Sequence, residues 1–349
     1  MNCPAVTTTA VIQTKTGIGD AIWHLPFIRA IAAATKEGSV AFMAPPSSHA
    51  SELFVAEPAI ARVIYFENQG SELTRGLQLW RLFRLLRAAK FETVWILDRS
   101  VRPAFAAFCA GVPHRIGLGL GSQKLYITNR GIDPALRRAW VTTWLVELMK
   151  AMAVPFAGTE PQLRLPADIV ARIGARFAQL PHPWIAAAFG GSHPSKEWPV
   201  EYWRTFLTEL RAHTMGSVFL IGGPNCVAQA DDMVARTVGP APMINACALS
   251  LIEVAALLSQ TDLFIGHDSG PLNIAAAVGI PAYGLFGSTH VLDYSRHIRP
   301  ILPDDGRPYS PDGMRRISPG AAFAAIAAEL EMLENKARRR AALTPPSSP

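Results

Sequence analysis

Cysteine is scarce in this sequence and never closely paired: Cys3, Cys109, Cys226 and Cys247 are scattered through 349 residues with no CxxC spacing. A disulfide-stapled scaffold and a cysteine zinc site are thereby excluded as organising devices, leaving ordinary thiols. Charge is also sparse. Asp, Glu, Lys and Arg make up 17% of the chain against 50% hydrophobic residues, which excludes a disordered chain and provides for well-filled cores. No stretch offers the roughly 18 uninterrupted apolar residues that span a bilayer. The opening MNCPAVTTTAVIQTK has neither the charged start nor the apolar core of a secretory signal. A cytoplasmic protein is expected.

What charge there is leans positive. Lys and Arg exceed Asp and Glu, 33 to 27, and the net +6 favours an anionic partner: a nucleotide, a phosphorylated substrate or the inner membrane leaflet. Nucleic acid is not expected among the partners. Part of the surplus sits in KARRRAALTPPSSP, residues 336–349, read as a frayed helix end running into a disordered basic, Pro/Ser-rich tail, with peripheral membrane contact as a secondary reading.

Length favours two domains. Short β-rich runs alternate with amphipathic helical patterns through both halves, the rhythm of βα units around parallel sheets. The first series of strands is AVIQTK, SVAFMAP, RVIYFE, TVWILD and HRIGLG; the second is WIAAAFGG, SVFLIGG, PMINAC, LFIGHD and AYGLFG. Between them MAVPFAGTEPQLRLPADIV is rich in turn formers. The expectation is an α/β protein with a Rossmann-like domain over 1–160, a hinge over 161–181 and a second Rossmann-like domain over 182–335, the two facing a central cleft.

Three polar constellations fall where strands hand over to helices. In TKTGIGDAIWHLPF, Gly17 and Gly19 permit a tight turn and Asp20 enters the first turn of the next helix, either as a helix cap or as a group facing a ligand. The third glycine of a dinucleotide fingerprint is replaced by Trp23, so an NAD site is not expected. In FGGSHPSKEWP, Gly191, Ser192 and Lys196 combine close-approaching amides, a hydroxyl and a point charge suited to phosphate, although a surface lysine beside a turn reads equally well. In GHDSGPLNIAAAVG, Gly270 at the cap and Pro271 at the first helical position leave the helix amides open to an anion. Asp268 and Ser269 sit on the lip, and Asp268 is suited to accept hydrogen bonds from ligand hydroxyls.

Taken in order, GIGDAIWHLP, FGGSHPSKEWP and LLSQTDLFIGHDSGPLNIAAAVGIPAYGLFGST resemble glycosyltransferase family 9, the ADP-heptose:lipopolysaccharide heptosyltransferases, over about Thr14 to Glu331. The resemblance implies the GT-B fold, with an acceptor domain followed by a sugar-nucleotide domain. It further implies inverting transfer of heptose or a related sugar from an ADP-sugar to a lipopolysaccharide core or other lipid-linked or surface-glycan acceptor. Asp20 takes the family's position of general base. Ser192 and Lys196, with Gly191, match diphosphate-binding positions, and Asp268, Ser269 and Gly270 match donor-sugar and phosphate contacts. Gly223, Asn225 and Leu249 fall on the nucleoside side, and Gly19 and His24 on the acceptor side. The resemblance also implies a metal-independent reaction, with which the lack of a D-x-D motif agrees, so neither a metal nor any other cofactor is expected.

Three positions depart from the family pattern. Asn273 stands where a histidine is usual, with His267 nearby as a partial substitute; Asn225 stands where a carboxylate would meet the nucleoside; and His290-Val291 replaces Asp-Pro. These loosen the donor assignment and keep open another nucleotide sugar, a protein or capsule acceptor, or a non-catalytic binding protein. Acceptor specificity is expected in SSHASELF and RSVRPAF, where Arg99, Arg102 and Lys124 read either as acceptor-phosphate contacts or as solvated charges.

Overall fold

A computed structural model describes residues 7–68, 72–190, 193–292, 294–307 and 309–343. The chain divides into two compact units, one up to Arg164 and one from Leu165. In the first, strands β1 (Thr9–Ile12), β2 (Val40–Ala44), β3 (Ile60–Tyr65), β4 (Thr93–Ile96) and β5 (His114–Gly117) alternate with helices α1 (Ile18–Ala33), α2 (Ala50–Leu53), α3 (Glu72–Ala89) and α4 (Val101–Cys109), and α5 (Val141–Ala151) follows. The strands form one sheet in the order β3-β2-β1-β4-β5, every pair parallel. Every residue of β1 and β2 is buried, as expected of strands covered on both faces. The chain winds outward from β1 in one direction and from β4 in the other. Right-handed crossovers then send α1 and α3 to opposite faces and open a crevice between the carboxyl ends of β1 and β4.

The second unit opens with α6 (Ala167–Phe177), then runs β6 (Trp184–Ala188), α7 (Val200–His213), β7 (Ser217–Ile221), α8 (Val227–Arg236), β8 (Met243–Asn245), α9 (Leu251–Leu258), β9 (Leu263–His267), α10 (Gly270–Val278), β10 (Ala282–Leu285), β11 (Ile298–Ile301) and α11 (Pro319–Leu343). Its sheet order is β11-β10-β9-β6-β7-β8, again parallel throughout, with the winding reversed between β6 and β9. Helix α7 buries Trp203, Phe206, Leu207 and Leu210 at the spacing of one helical face. Trp198, Trp203 and Phe206 meet edge to face at centroid distances of 5.1 to 6.0 Å, closing the core below the β6–β9 crevice.

Three expectations change. The stretch 161–181 is more than a hinge: α6 occupies most of it, and Gln260 Nε2, just after α9, donates to the Val170 carbonyl (3.0 Å), tying that helix to the second unit. Pro166 is its N-cap, so the proline that reads as a breaker in sequence starts the helix. The expected tail is helical as far as Leu343, because α11 buries Ala322, Ile326, Leu330 and Leu333 at helical spacing before its basic end; residues 344–349 lie outside the described residues. RSVRPAF is largely the start of α4, with Pro103 in the first turn, where its missing N–H has no partner to lose. Strand β11 was not expected at all: IRPI carries a proline, tolerated only because the strand lies at the sheet edge.

Candidate functional site

The first unit holds a cavity of about 470 Å³ at the β1–β4 crevice, lined by Thr14, Lys15 and Thr16 after β1 and by Asp98, Arg99 and Ser100 after β4. Asp98 laces these two loops together. Its Oδ2 accepts from the Thr14 amide and its Oδ1 from the Ser100 amide, both at 2.7 Å. Only 4% exposed, this carboxylate is held by charge-assisted bonds that fix the width of the crevice. Gln123 adds a second lace, donating to the Asp98 and Ser100 carbonyls (2.8 and 2.9 Å) while accepting from the Gly119 amide.

Asp20 stands in the first turn of α1 and lines the same cavity. Its Oδ2 accepts from the Gly17 amide at 3.2 Å, so capping is real and occupies one oxygen. One carboxylate thus serves the helix and faces the cavity together, and the two readings of the sequence are not exclusive. One turn on, His24 Nδ1 lies 2.5 Å from the Asp20 carbonyl. Because a carbonyl can only accept, Nδ1 carries the proton, which fixes the tautomer of this buried ring. Arg99 lies over the Trp144 ring at 4.9 Å and donates to the Arg137 carbonyl at 3.3 Å, while Arg102 lines the wall from α4. Cations and carboxylates therefore share the cavity lining: Lys15, Arg99 and Arg102 with Asp20, Glu67 and Asp98. Gly19, the SSHASELF segment and Lys124 are not among the lining residues.

In the second unit the polar groups collect at the β6–β9 switch. Lys196, in the short turn Pro194–Lys196, reaches Asp268 at the end of β9: Nζ donates to Oδ2 at 3.0 Å and to the Asp268 carbonyl at 3.3 Å. Two of the three ammonium N–H groups are thus aimed by Asp268, and the side chains remain 29% and 13% exposed. Gly191 and Ser192 lie outside the described residues. Ser269, not Gly270, is the N-cap of α10, and its Oγ turns back to the His267 carbonyl (3.2 Å) instead of covering the helix amides. The amides stay open, as expected, by a different route.

Asn273 departs from its expected use. Its Nδ2 donates to the Ser269 carbonyl at 2.7 Å and its Oδ1 accepts from the Tyr294 hydroxyl, so the side chain braces the first turn of α10 at 5% exposure. Nor does His267 stand in as a cation. It is fully buried, and its Nε2 accepts from the Trp198 amide (2.9 Å) and the Trp203 indole (3.3 Å), which requires the neutral ring. Burial pushes the imidazole down to about 4; the Gly190 backbone pulls the other way, although Nδ1 makes no hydrogen bond of good geometry. Between pH 6.5 and 4 the unfolded chain therefore takes up a proton that the folded one refuses, and stability falls as the pH drops through that window. The full effect is on the order of 3 kcal/mol. His267→Gln, which keeps an acceptor, should flatten this part of the curve in urea unfolding at pH 7 and pH 4.5; an unchanged slope would assign the loss to other groups.

On the nucleoside side, Gly223 precedes the turn Pro224–Cys226 after β7, Asn225 is exposed in it, and Leu249 is buried beyond β8. They share the carboxyl edge of the sheet with Lys196. The edge is tightly built: a side chain at Gly222 would place a Cβ 2.7 Å from that of Cys226 and 3.2 Å from the Cys247 sulfur. Both cysteines are buried free thiols.

A family profile described as Glycosyltransferase family 9 (heptosyltransferase) matches residues 79–301. The chain belongs to glycosyltransferase family 9. The lipopolysaccharide core heptosyltransferase OpsX of Haemophilus influenzae is 20% identical over 216 residues, 60% of this chain and 60% of that relative, so the aligned part spans less than two thirds of it. The structure of Escherichia coli ADP-heptose lipopolysaccharide heptosyltransferase II superposes with a TM-score of 0.71 at 20% identity, covering 93% of this chain and 98% of that one. Escherichia coli heptosyltransferase WaaC with ADP-2-deoxy-2-fluoro heptose gives 0.69 at 16%, covering 92% and 99%. At such identities the likeness carries the fold: this family 9 protein has the GT-B fold expected from its motifs.

Sequence reasoning missed Lys15, Asp98 and Trp144 in the family 9 chain. Asp98 was within reach, since it ends the TVWILD strand at the carboxyl edge where doubly wound sheets bind ligands. Trp144 was not, because nothing local marks a tryptophan that stacks on an arginine 45 positions earlier.

Among the described residues no helix is long and apolar enough to cross a membrane, and no group of three or more His, Cys, Asp or Glu side chains could hold a metal ion.

Proposed function

We propose that this family 9 protein is an inverting glycosyltransferase that moves heptose, or a related sugar, from an ADP-sugar to a lipopolysaccharide core or similar surface-glycan acceptor, with Asp20 as general base and no metal or other cofactor. The observation that carries the reading is Asp20 itself, a carboxylate fixed in the first turn of α1 on the wall of a cavity that also presents Lys15, Arg99 and Arg102. A base must be positioned before its basicity matters, and the Gly17 amide gives Asp20 one orientation while its second oxygen remains for an acceptor hydroxyl. As that oxygen removes the proton, the hydroxyl attacks the anomeric carbon and the sugar–phosphate bond breaks on the opposite face, the electron pair leaving with the diphosphate. The second unit supports the leaving group through Lys196, an ammonium oriented by Asp268, and the uncovered amides of α10.

The test is to incubate the protein with ADP-heptose and a heptose-deficient lipopolysaccharide core and follow ADP release. Release that depends on both substrates is expected. A folded protein that releases no nucleoside diphosphate from any panel of sugar nucleotides and acceptors would sink the enzymatic reading. One observation favours a different donor within the same chemistry: Asn225 is exposed and uncharged where the resemblance implies a carboxylate beside the nucleoside. Turnover with another nucleotide sugar in preference to ADP-heptose would support that variant.

A further inference from the structure

The outer face of the α3–α4 layer differs from the rest of the chain. The segment that builds it, residues 72–138, holds twelve Lys and Arg against four Asp and Glu, a surplus of eight that exceeds the net +6 of the whole protein, and two of the twelve, Arg99 and Arg102, belong to the Asp20 cavity. The remainder is slightly acidic. Helix α3 turns Gln78, Leu82 and Leu86 inward and presents Leu77, Trp80, Arg81, Arg84 and Arg87 to solvent, with Trp80 half exposed. Helix α4 packs beside it and holds out Phe105 and Phe108. These rings close on Tyr126 at 5.2 and 5.8 Å, and Leu125, next to Lys124, is 67% exposed.

Aromatic and cationic groups are paired directly on this face. Arg84 lies over the Trp80 ring at 4.8 Å and Arg115 over Phe108 at 5.4 Å. Large apolar side chains held in water mark a surface that something covers. With Arg84 on Trp80 and Arg115 on Phe108, the small ring cluster around Tyr126 is bordered by charge and forms no extended dry centre of the kind a protein interface is built around. The headgroup layer of an anionic bilayer takes both components side by side, rings at the level of the glycerol backbone and guanidinium groups on phosphates.

We propose that the α3–α4 face docks this protein on an anionic lipid bilayer. The expected membrane contact moves from the basic C-terminal end to the first unit. The same two helices supply Gln78, Leu79, Leu82, Arg102 and Pro103 to the Asp20 cavity, so docking sets one wall of that cavity against the lipid surface. The proposal does not depend on the transfer reading, because its test contains neither donor nor acceptor.

The full chain is floated with phosphatidylethanolamine–phosphatidylglycerol vesicles and with pure phosphatidylcholine vesicles. Co-flotation with the anionic vesicles only, weakened by salt, is expected. Arg84→Glu with Arg87→Glu, and separately Trp80→Ser with Phe108→Ser, should each weaken partition by at least about tenfold. Arg338→Glu with Arg339→Glu should behave as wild type. Equal partition of the face variants and the wild type, loss of partition with the C-terminal pair alone, or absence of flotation would overturn the proposal. So would a wild-type dimer that the face variants dissociate, which would assign the face to a second copy of the chain. If a variant fails to fold, a Cys3→Ser chain labelled at exposed Cys109 on α4 with a polarity-sensitive fluorophore replaces it. A blue shift on anionic vesicles supports docking and an unchanged spectrum overturns it.

Discussion

Asp20→Asn is expected to lower turnover by roughly 10²- to 10⁴-fold, the usual worth of a positioned general base, while leaving donor affinity and the melting temperature close to wild type. The substitution separates two duties that one carboxylate carries. Asn retains an oxygen that can accept from the Gly17 amide, so the first turn of α1 keeps its cap. What it loses is the capacity to take a proton from an acceptor hydroxyl. Asp20→Ala removes both, and should add a stability loss of about 1 kcal/mol to the same catalytic defect. ADP release at saturating substrates reads the first effect and thermal unfolding the second. A fully active Asp20→Asn would place the base elsewhere, whereas loss of activity matched by loss of stability in both variants would reduce Asp20 to a cap.

The double duty of Asp20 also bears on how much of the protein is legible in its sequence. The strands, their parallel arrangement and the two switch points follow from runs such as AVI, TVWI and LFIGH, which are apolar on both faces because parallel sheets are covered on both sides. The strand-to-helix handovers carrying Asp20, Lys196 and Asp268 could be found because polar and small residues replace the apolar pattern there, directly after β9 for Asp268 and within eight residues of β1 and β6 for Asp20 and Lys196. The same logic failed at His267, which is still the last residue of β9 and points into the core, where two tryptophan N–H groups hold it neutral. It failed at Asn273, whose neighbours Ser269 and Tyr294 take up the side chain; a partner 21 residues away leaves no local pattern. Proline misled at α6, where Pro166 begins a helix inside a stretch that reads as a break, because a first helical turn makes no use of the missing N–H.

Lys196→Ala should weaken binding of ADP by roughly ten- to a hundredfold, the range for losing a charge-assisted hydrogen bond to phosphate. Part of that loss comes from Asp268. In the wild type its carboxylate is offset by the ammonium 3.0 Å away; without Lys196 it becomes an uncompensated negative charge beside an incoming diphosphate. Replacing it as well, in Lys196→Ala/Asp268→Asn, should recover some of the affinity, so that the double variant binds ADP more tightly than Lys196→Ala but less tightly than wild type. That ordering is not what two independent contacts would give, since independent losses add. Calorimetric titration with ADP, which lacks the sugar, confines the comparison to the nucleotide and its phosphates. Raising the salt should shrink the gap between the single and double variants, because the repulsion that separates them is screened in a pair still partly open to solvent. A double variant that binds as poorly as the sum of its parts would show that Asp268 meets the ligand independently of Lys196.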